Sequence, residues 1–235
     1  MLIPFQYAQV NDFREGLASV SMDFSTLNPR WQFINRQGET AFILSDRHQL
    51  VDLHFQEGFV RIRTPEGIAF LNTKGELLGQ IYFKDADPFA NGLARVTYEE
   101  NGKRRMGCLD NRGRLAVPAI YEFVSPSAYA TYWGALYKVQ KDGRWGVVDT
   151  RHKEIIPAEF EDVYFPPFPP ATLGLADDRL AVKKDGKWGF VNRRGKLVIA
   201  PKYEQIYDFI DGYARVQYQG QWGYIDAKGT AYFED

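Results

Sequence analysis

The residues able to do chemistry are few. The 235-residue chain has three histidines, His48, His54 and His152, and one cysteine, Cys108. His48 and His54 lie six apart with no cysteine beside them, a spacing that does not build a zinc site. No G-x-S-x-G, P-loop or G-x-G-x-x-G segment is present. Acidic residues are many but scattered, and no pair stands out for acid–base work. The reading is therefore of a chain that is not an enzyme, with no catalytic residue, no metal and no cofactor.

Two other residue sets carry potential chemistry. Arg61, Arg95, Lys138 and Arg215 each sit in a similar apolar context and together could hold an anion. Tyr129, Tyr132, Trp133, Tyr164, Phe165 and Phe168 lie in two segments rich in aromatics and proline, "SPSAYATYWG" (125–134) and "YFPPFPPATLG" (164–174). Aromatics beside proline make rigid contacts at low entropic cost, the composition of a protein-binding surface.

What positions these residues is a repeat. Take Trp188 as an anchor in "DGKWGFVNRRGKLVIAPKYE". Matching segments start at Trp31, Ile68, Met106, Trp145 and Trp222, spaced 37, 38, 39, 43 and 34 residues apart with Trp188 in order. Four residues past the anchor, all six copies carry Asn or Asp: Asn35, Asn72, Asp110, Asp149, Asn192 and Asp226. Seven past it, five carry Gly, and the sixth has His152. A block such as "DGYARV" precedes each anchor, and "IPAEFED" or "APKYEQ" follows the later ones.

One copy is readable physically. "GYARV" and "WGYID" alternate with period two and are joined by a short turn, which predicts a hairpin. The Asx-x-x-Gly that follows predicts a turn in which the Asx side chain bonds the backbone and Gly supplies a positive φ. His is tolerated at positive φ, which accommodates His152. A third run, such as "KLVIA", is expected to end at proline. The glycine after the tryptophan is expected to let a backbone or a ring come close, with the tryptophan packing between copies. Cys108 falls in an aromatic slot and is expected to be buried. Each copy is thus read as three antiparallel strands.

These motifs, above all "DGKWGFVNRRGKLVIAPKY" and "QGQWGYIDAKG", resemble the bacterial WG-repeat (KWG-repeat) family over essentially the full length. The departures are Gln32 and Ala69 in the Gly slot, and Ile68 and Met106 in the Trp slot. The resemblance implies an interaction module and brings no catalytic residues.

The expected fold is all-β: six three-stranded antiparallel WG repeats in one domain over 1–235. A closed, propeller-like ring is preferred, with an open β-solenoid as the alternative. The preference rests on the opening "IPFQY", read as completing the last repeat, and on the lack of polar capping repeats.

In a closed ring the four cations would form a column. Ser19 and Ala181 hold its remaining two positions. The column either binds an anionic small molecule or glycan, or pairs with neighbouring acids such as Glu57 or Asp211. The two aromatic segments interrupt adjacent copies at the same point. They either bind a partner or fold back over a neighbouring copy as a lid.

The formal net charge of −1 argues against nucleic acid as a partner. No run approaches ~18 apolar residues, so no membrane span is expected. The single cysteine and the absence of a signal-like N-terminus suggest the cytoplasm. The first reading is a protein-binding module, in a specific form an immunity or antitoxin protein that occludes a toxin. Oligomeric state is left open.

Overall fold

The computed structural model describes residues 6–23, 29–125, 129–131, 134–164, 179–192 and 194–233. The chain forms six small antiparallel sheets. The first is β1 (Gln9–Val10), β2 (Leu17–Ser21), β3 (Trp31–Asn35) and β4 (Thr40–Ile43). The second is β5 (Gln49–Leu50), β6 (Phe59–Thr64) and β7 (Gly67–Asn72). The third is β8 (Asp85–Ala86), β9 (Leu93–Glu100), β10 (Lys103–Asp110) and β11 (Leu115–Tyr121). The fourth has five strands: β12 (Phe123–Val124), β13 (Tyr129–Thr131), β14 (Gly134–Lys141), β15 (Arg144–Asp149) and β16 (Glu154–Phe160). The fifth is β17 (Asp162–Tyr164), β18 (Arg179–Lys184), β19 (Lys187–Asn192) and β20 (Leu197–Tyr203). The sixth is β21 (Gln205–Ile210), β22 (Tyr213–Tyr218), β23 (Gln221–Asp226) and β24 (Ala231–Phe233).

Three strands per copy is therefore an undercount in five of the six sheets, the second having three. A further strand precedes each hairpin; in the first five sheets it has two or three residues, too few for a period-two search, whereas β21 has six. The chain divides into two compact units, Met1–Ala119 and Ile120–Asp235. The start of "IPFQY", Ile3 to Phe5, lies outside the described residues, and closure of the series is not shown.

The local turns follow the expected chemistry. In every copy the Asx side-chain oxygen accepts two backbone amides, as Asn192 does from Arg194 and Lys196 at 2.9 and 3.1 Å. Asn35, Asn72, Asp110, Asp149 and Asp226 repeat the pair. His152 takes the glycine position at φ +61°. Its ring Nε2 lies 2.7 Å from the Tyr121 hydroxyl, which gives a buried phenol a partner. The hairpin turns Asn101-Gly102, Asp142-Gly143, Asp185-Gly186 and Gln219-Gly220 have positive φ at both central residues, the geometry that matches strand twist.

The glycine after the anchor controls the last strand. A Cβ on Gly107, Gly146 or Gly189 would lie 2.4, 2.7 or 2.4 Å from the carbonyl oxygen of Val117, Ile156 or Ile199. At Gly146 and Gly189 the cause is a bulge. Trp145 pairs with Phe160 and Val147 with Ile156, so two residues of β15 oppose four of β16. Trp188 pairs with Tyr203 and Phe190 with Ile199 in the same way. Proline sits inside each bulge, at Pro157 and Pro201. The expectation that proline ends the strand is thus corrected. A bulge leaves residues unpaired, so a missing N–H costs no ladder bond.

Where the glycine is absent, so is this arrangement. Gln32 faces an adjacent-residue ladder, with Gln32 opposite Ile43 and Phe33 opposite Phe42. Ala69 lies in the three-stranded sheet, which has only isolated bridges, Ile68–Phe83 and Leu71–Leu77, on that side.

Within each unit the cores lie between consecutive sheets. In the first unit Leu17 and Phe33 pack with Phe55, Val60 and Ile62, and Phe70 packs with Phe83, Phe89 and Val96. In the second unit Leu136, Val147 and Ile156 meet Val163 and Val182, and Ala181, Phe190 and Ile199 meet Phe209, Val216 and Ile225. Trp31, Trp145 and Trp188 are half-buried against these cores, the packing role expected of them. Cys108 is fully buried.

Candidate functional site

The four cations occupy one register position. Opposite Arg61, Arg95, Lys138 and Arg215 on the next strand stand Phe70, Cys108, Val147 and Tyr224. Three of the four meet a carboxylate. Arg61 grips Asp52 with Nε at 2.7 Å and a second guanidinium nitrogen at 2.5 Å, which raises the arginine pKa. Arg95 Nε lies 2.8 Å from Asp87, and Lys138 Nζ lies 2.6 Å from Asp162. The partners are these aspartates, next to the short first strands. Glu57, considered from the sequence, does something else.

The slot also reaches the following sheet. Ser19 donates to the carbonyl of Leu53 at 2.8 Å, Arg61 donates to the carbonyl of Ala86, and Asp162 belongs to β17. Lys138 additionally lies 4.3 Å over the Trp145 ring. The arrangement ties one sheet to the next.

The aromatic segments replace a turn. In the first, second, third and sixth sheets, first and second strands are linked through Glu15-Gly16, Glu57-Gly58, Asn91-Gly92 and Asp211-Gly212, all at positive φ. The fourth and fifth sheets carry the insertions at that connection. Part of the first insertion becomes β13, which pairs with β14, placing Tyr129 opposite Leu136. Tyr164 ends β17 opposite Ala181, half-buried against the core of the fifth and sixth sheets. Tyr132, Trp133, Phe165 and Phe168 lie outside the described residues.

Carboxylate caps on turn amides form a feature that sequence reasoning missed. Glu15 accepts the amides of Glu57 and Gly58, both at 2.7 Å. Glu57 accepts those of Asn91 and Gly92 at 2.6 and 2.7 Å. Glu122 accepts those of Asp142 and Gly143 at 3.1 and 3.0 Å, and Glu161 that of Gly186 at 3.0 Å. For Glu122 and Glu161 the available signal was the acid after the aromatic in "IYEF" and "EFED", and for Glu15 and Glu57 the acid before glycine in "EGLASV" and "EGFVRI". Oriented amide pairs favour an anion, and the protein supplies its own.

The sixth sheet differs from its counterparts in its exposed tyrosines. Tyr207, Tyr213, Tyr224 and Tyr232 are each about half exposed, at 54%, 49%, 53% and 50%. Arg215 lies 4.6 Å from the Trp222 ring centroid and 5.9 Å from that of Tyr207. Among the described residues, no group of three or more His, Cys, Asp and Glu could hold a metal, and no helix is long and apolar enough to cross a membrane.

Six small antiparallel sheets, repeated turn chemistry and cores between neighbours define an all-β repeat protein. The chain belongs to the WG-repeat family: the model for the WG containing repeat matches residues 1–23, 69–103, 145–166 and 188–222. A comparison with curated proteins finds no match. Among solved structures the chain is similar, at low identity, to several others. One is "KlHsv2 with loop 6CD replaced by a Gly-Ser linker", at 13% identity and a TM-score of 0.38, covering 92% of this chain and 78% of that one. Another is a eukaryotic initiation factor, at 10% identity and a TM-score of 0.38, covering 93% and 72%. A third is the tricorn protease, at 12% identity and a TM-score of 0.26, covering 94% and 25%. These likenesses concern the fold alone.

Proposed function

We propose that this WG-repeat chain is a non-enzymatic, cytoplasmic protein-binding module that engages another protein through its two inserted aromatic segments. A specific form of the proposal is an immunity or antitoxin protein whose partner is a toxin. The observation that carries it is positional. The two insertions interrupt the same strand connection in the fourth and fifth sheets, which share one core. Insertions at one repeated connection of neighbouring copies are a usual place for binding in repeat arrays, which supports the reading. The reading holds for a closed ring and for an open stack alike. The alternative, an anion or glycan held by the cation column, has less support, because Arg61, Arg95 and Lys138 already meet Asp52, Asp87 and Asp162.

The test compares the wild-type chain with a variant carrying Tyr132→Ala, Trp133→Ala, Phe165→Ala and Phe168→Ala. Partners captured by the wild type are identified, purified and titrated against both proteins. A folded variant that loses at least about tenfold in affinity supports the reading. A folded variant that binds every partner as well as the wild type does overturns it.

A further inference from the structure

Two turns of the first unit carry the pair Asn-Gly: Asn91-Gly92 and Asn101-Gly102. In this dipeptide the glycine amide nitrogen can attack the asparagine side-chain carbonyl, because glycine has no side chain to block the approach. Both asparagines are exposed. Both turns hold Asn and Gly at positive φ, 55° and 79° in the first and 52° and 72° in the second. By sequence and backbone conformation the two are alike. Their hydrogen bonds are not.

In the first turn the attacking atom is held. The Gly92 amide donates to Glu57 Oε2 at 2.7 Å and the Asn91 amide to Oε1 at 2.6 Å. Behind the turn, Ala90 and Leu93 exchange backbone bonds of 2.9 and 3.3 Å. Attack requires the glycine nitrogen to give up its proton, and a carboxylate bonded to that N–H disfavours the anion. It also requires the turn to open, which would break the Glu57 bonds. In the second turn the Gly102 amide meets no acceptor among the described residues.

The difference comes from hairpin length. In the fourth and fifth sheets the turn lies one residue pair beyond the anchor pair, Gln140–Trp145 or Lys183–Trp188. Glu122 or Glu161, beside that pair, reaches the turn amides. β9 and β10 run three pairs beyond theirs, Thr97–Met106, and carry the Asn101-Gly102 turn farther out. The residue beside this anchor pair is Lys84, whose amide bonds the Thr97 carbonyl as those of Glu122 and Glu161 bond the carbonyls of Gln140 and Lys183. The long hairpin thus has neither the carboxylate nor the reach for a cap. Its exposed end opens more readily than a turn tied to a neighbouring sheet. Lys103, Arg104 and Arg105 follow the turn, and cations favour a deprotonated nitrogen.

We propose that Asn101 is a site of spontaneous deamidation and that Glu57 protects Asn91 from the same reaction. The Gly102 nitrogen forms a bond to the Asn101 side-chain carbon and loses its proton. The bond from that carbon to Nδ2 breaks, and ammonia leaves with the proton. Water then opens the resulting succinimide at either carbonyl. One opening yields an aspartyl residue and the other an isoaspartyl residue, with no oxidation or reduction. Either product adds a negative charge to the cationic hairpin tip. The isoaspartyl form also lengthens the main chain by a methylene, which disturbs the Glu100–Lys103 pair.

The experiment incubates the full-length folded chain at neutral pH and follows both asparagines by peptide mapping, with mass spectrometry reading the exchange of amide for carboxyl. Asn101 is expected to react at least about tenfold faster than Asn91, since opening the Asn91 turn breaks two bonds to a charged group. In concentrated urea the two rates should converge. Glu57→Gln should raise the Asn91 rate in the folded chain and leave that of Asn101 unchanged. Gln is accommodated at such a turn position, as Gln219 shows at φ +50°. If the variant does not fold, the comparison of folded and unfolded wild type decides alone. Equal rates in the folded chain, or a faster Asn91, overturn the proposal. A rate gap that persists in urea also overturns it, by tracing the difference to local sequence. An unchanged Asn91 rate in folded Glu57→Gln removes the protective role of Glu57.

Discussion

Gly189 and Ile199 approach more closely than any residue with a side chain allows: a Cβ on Gly189 would lie 2.4 Å from the Ile199 carbonyl oxygen. The approach exists because the strand holding Pro201 bulges toward its neighbour. Gly189→Ala must push that strand away or break the ladder. It is expected to cost about 1–3 kcal/mol, as overpacking does. Gly186→Ala, in a turn with open space around it at φ +72°, should cost only about 1 kcal/mol, from backbone strain. Urea denaturation of the two variants checks the order. A Gly189→Ala protein as stable as Gly186→Ala would contradict the bulge as the reason for the Trp-Gly pair.

The column residues should separate into structural and open members. Arg61→Ala removes a bidentate pair with Asp52 and the bond to the Ala86 carbonyl. Both charged side chains are about four-fifths covered, and the loss is expected to reach about 1–3 kcal/mol. Arg215→Ala removes a cation lying over exposed rings and should cost less than about 1 kcal/mol. Chemical denaturation of both variants tests the difference, and equal losses would refute it.

The acid limb of stability should trace to the Asx turns. Burial works to raise the Asp226 carboxyl, but bonds from the Thr230 and Lys228 amides outweigh it and hold the group below its ordinary value of 3.8. Asp110 behaves likewise: burial raises it, and the Arg114 and Arg112 amides with the Arg114 guanidinium more than compensate. A folded pKa below the unfolded one contributes stability that is complete above the unfolded value and is lost as pH falls through the folded one. Stability should therefore decline below about pH 4. Asn35, Asn72 and Asn192 already make the same backbone bonds. The double variant Asp110→Asn, Asp226→Asn should thus fold and show a shallower decline, measured as denaturation midpoint against pH.

His152 is held in place by two opposed effects. Its φ of +61° carries strain that glycine would relieve, while its bond to the Tyr121 hydroxyl would be lost. In a Tyr121→Phe background the bond is already gone. His152→Gly should then stabilise the chain by about 1 kcal/mol, whereas in the wild type the gain should shrink or reverse. A thermal double-mutant cycle reads this coupling directly.

The turns, the hairpins and the repeat itself were legible in the residues, because their causes act within a few positions. Asn192 bonds amides two and four residues ahead, and a glycine needs only its own φ to close a turn. The short first strands were not legible, since two or three residues such as Asp85 and Ala86 show no period. Nor was the bulge that carries Pro157 inside a strand, because it depends on how β15 and β16 register against each other.

The sequence by itself determined the six-copy WG pattern, the all-β class and which positions depart from the pattern. Only the tertiary structure decided what those positions touch. Lys138 meets Asp162 across 24 residues of chain, and Glu57 caps a turn 34 and 35 residues away. Such pairs arise from the stacking of one sheet on the next, a geometry that no local spacing encodes. The same stacking buries Phe190 against Phe209, while Tyr224, its register equivalent, is about half exposed.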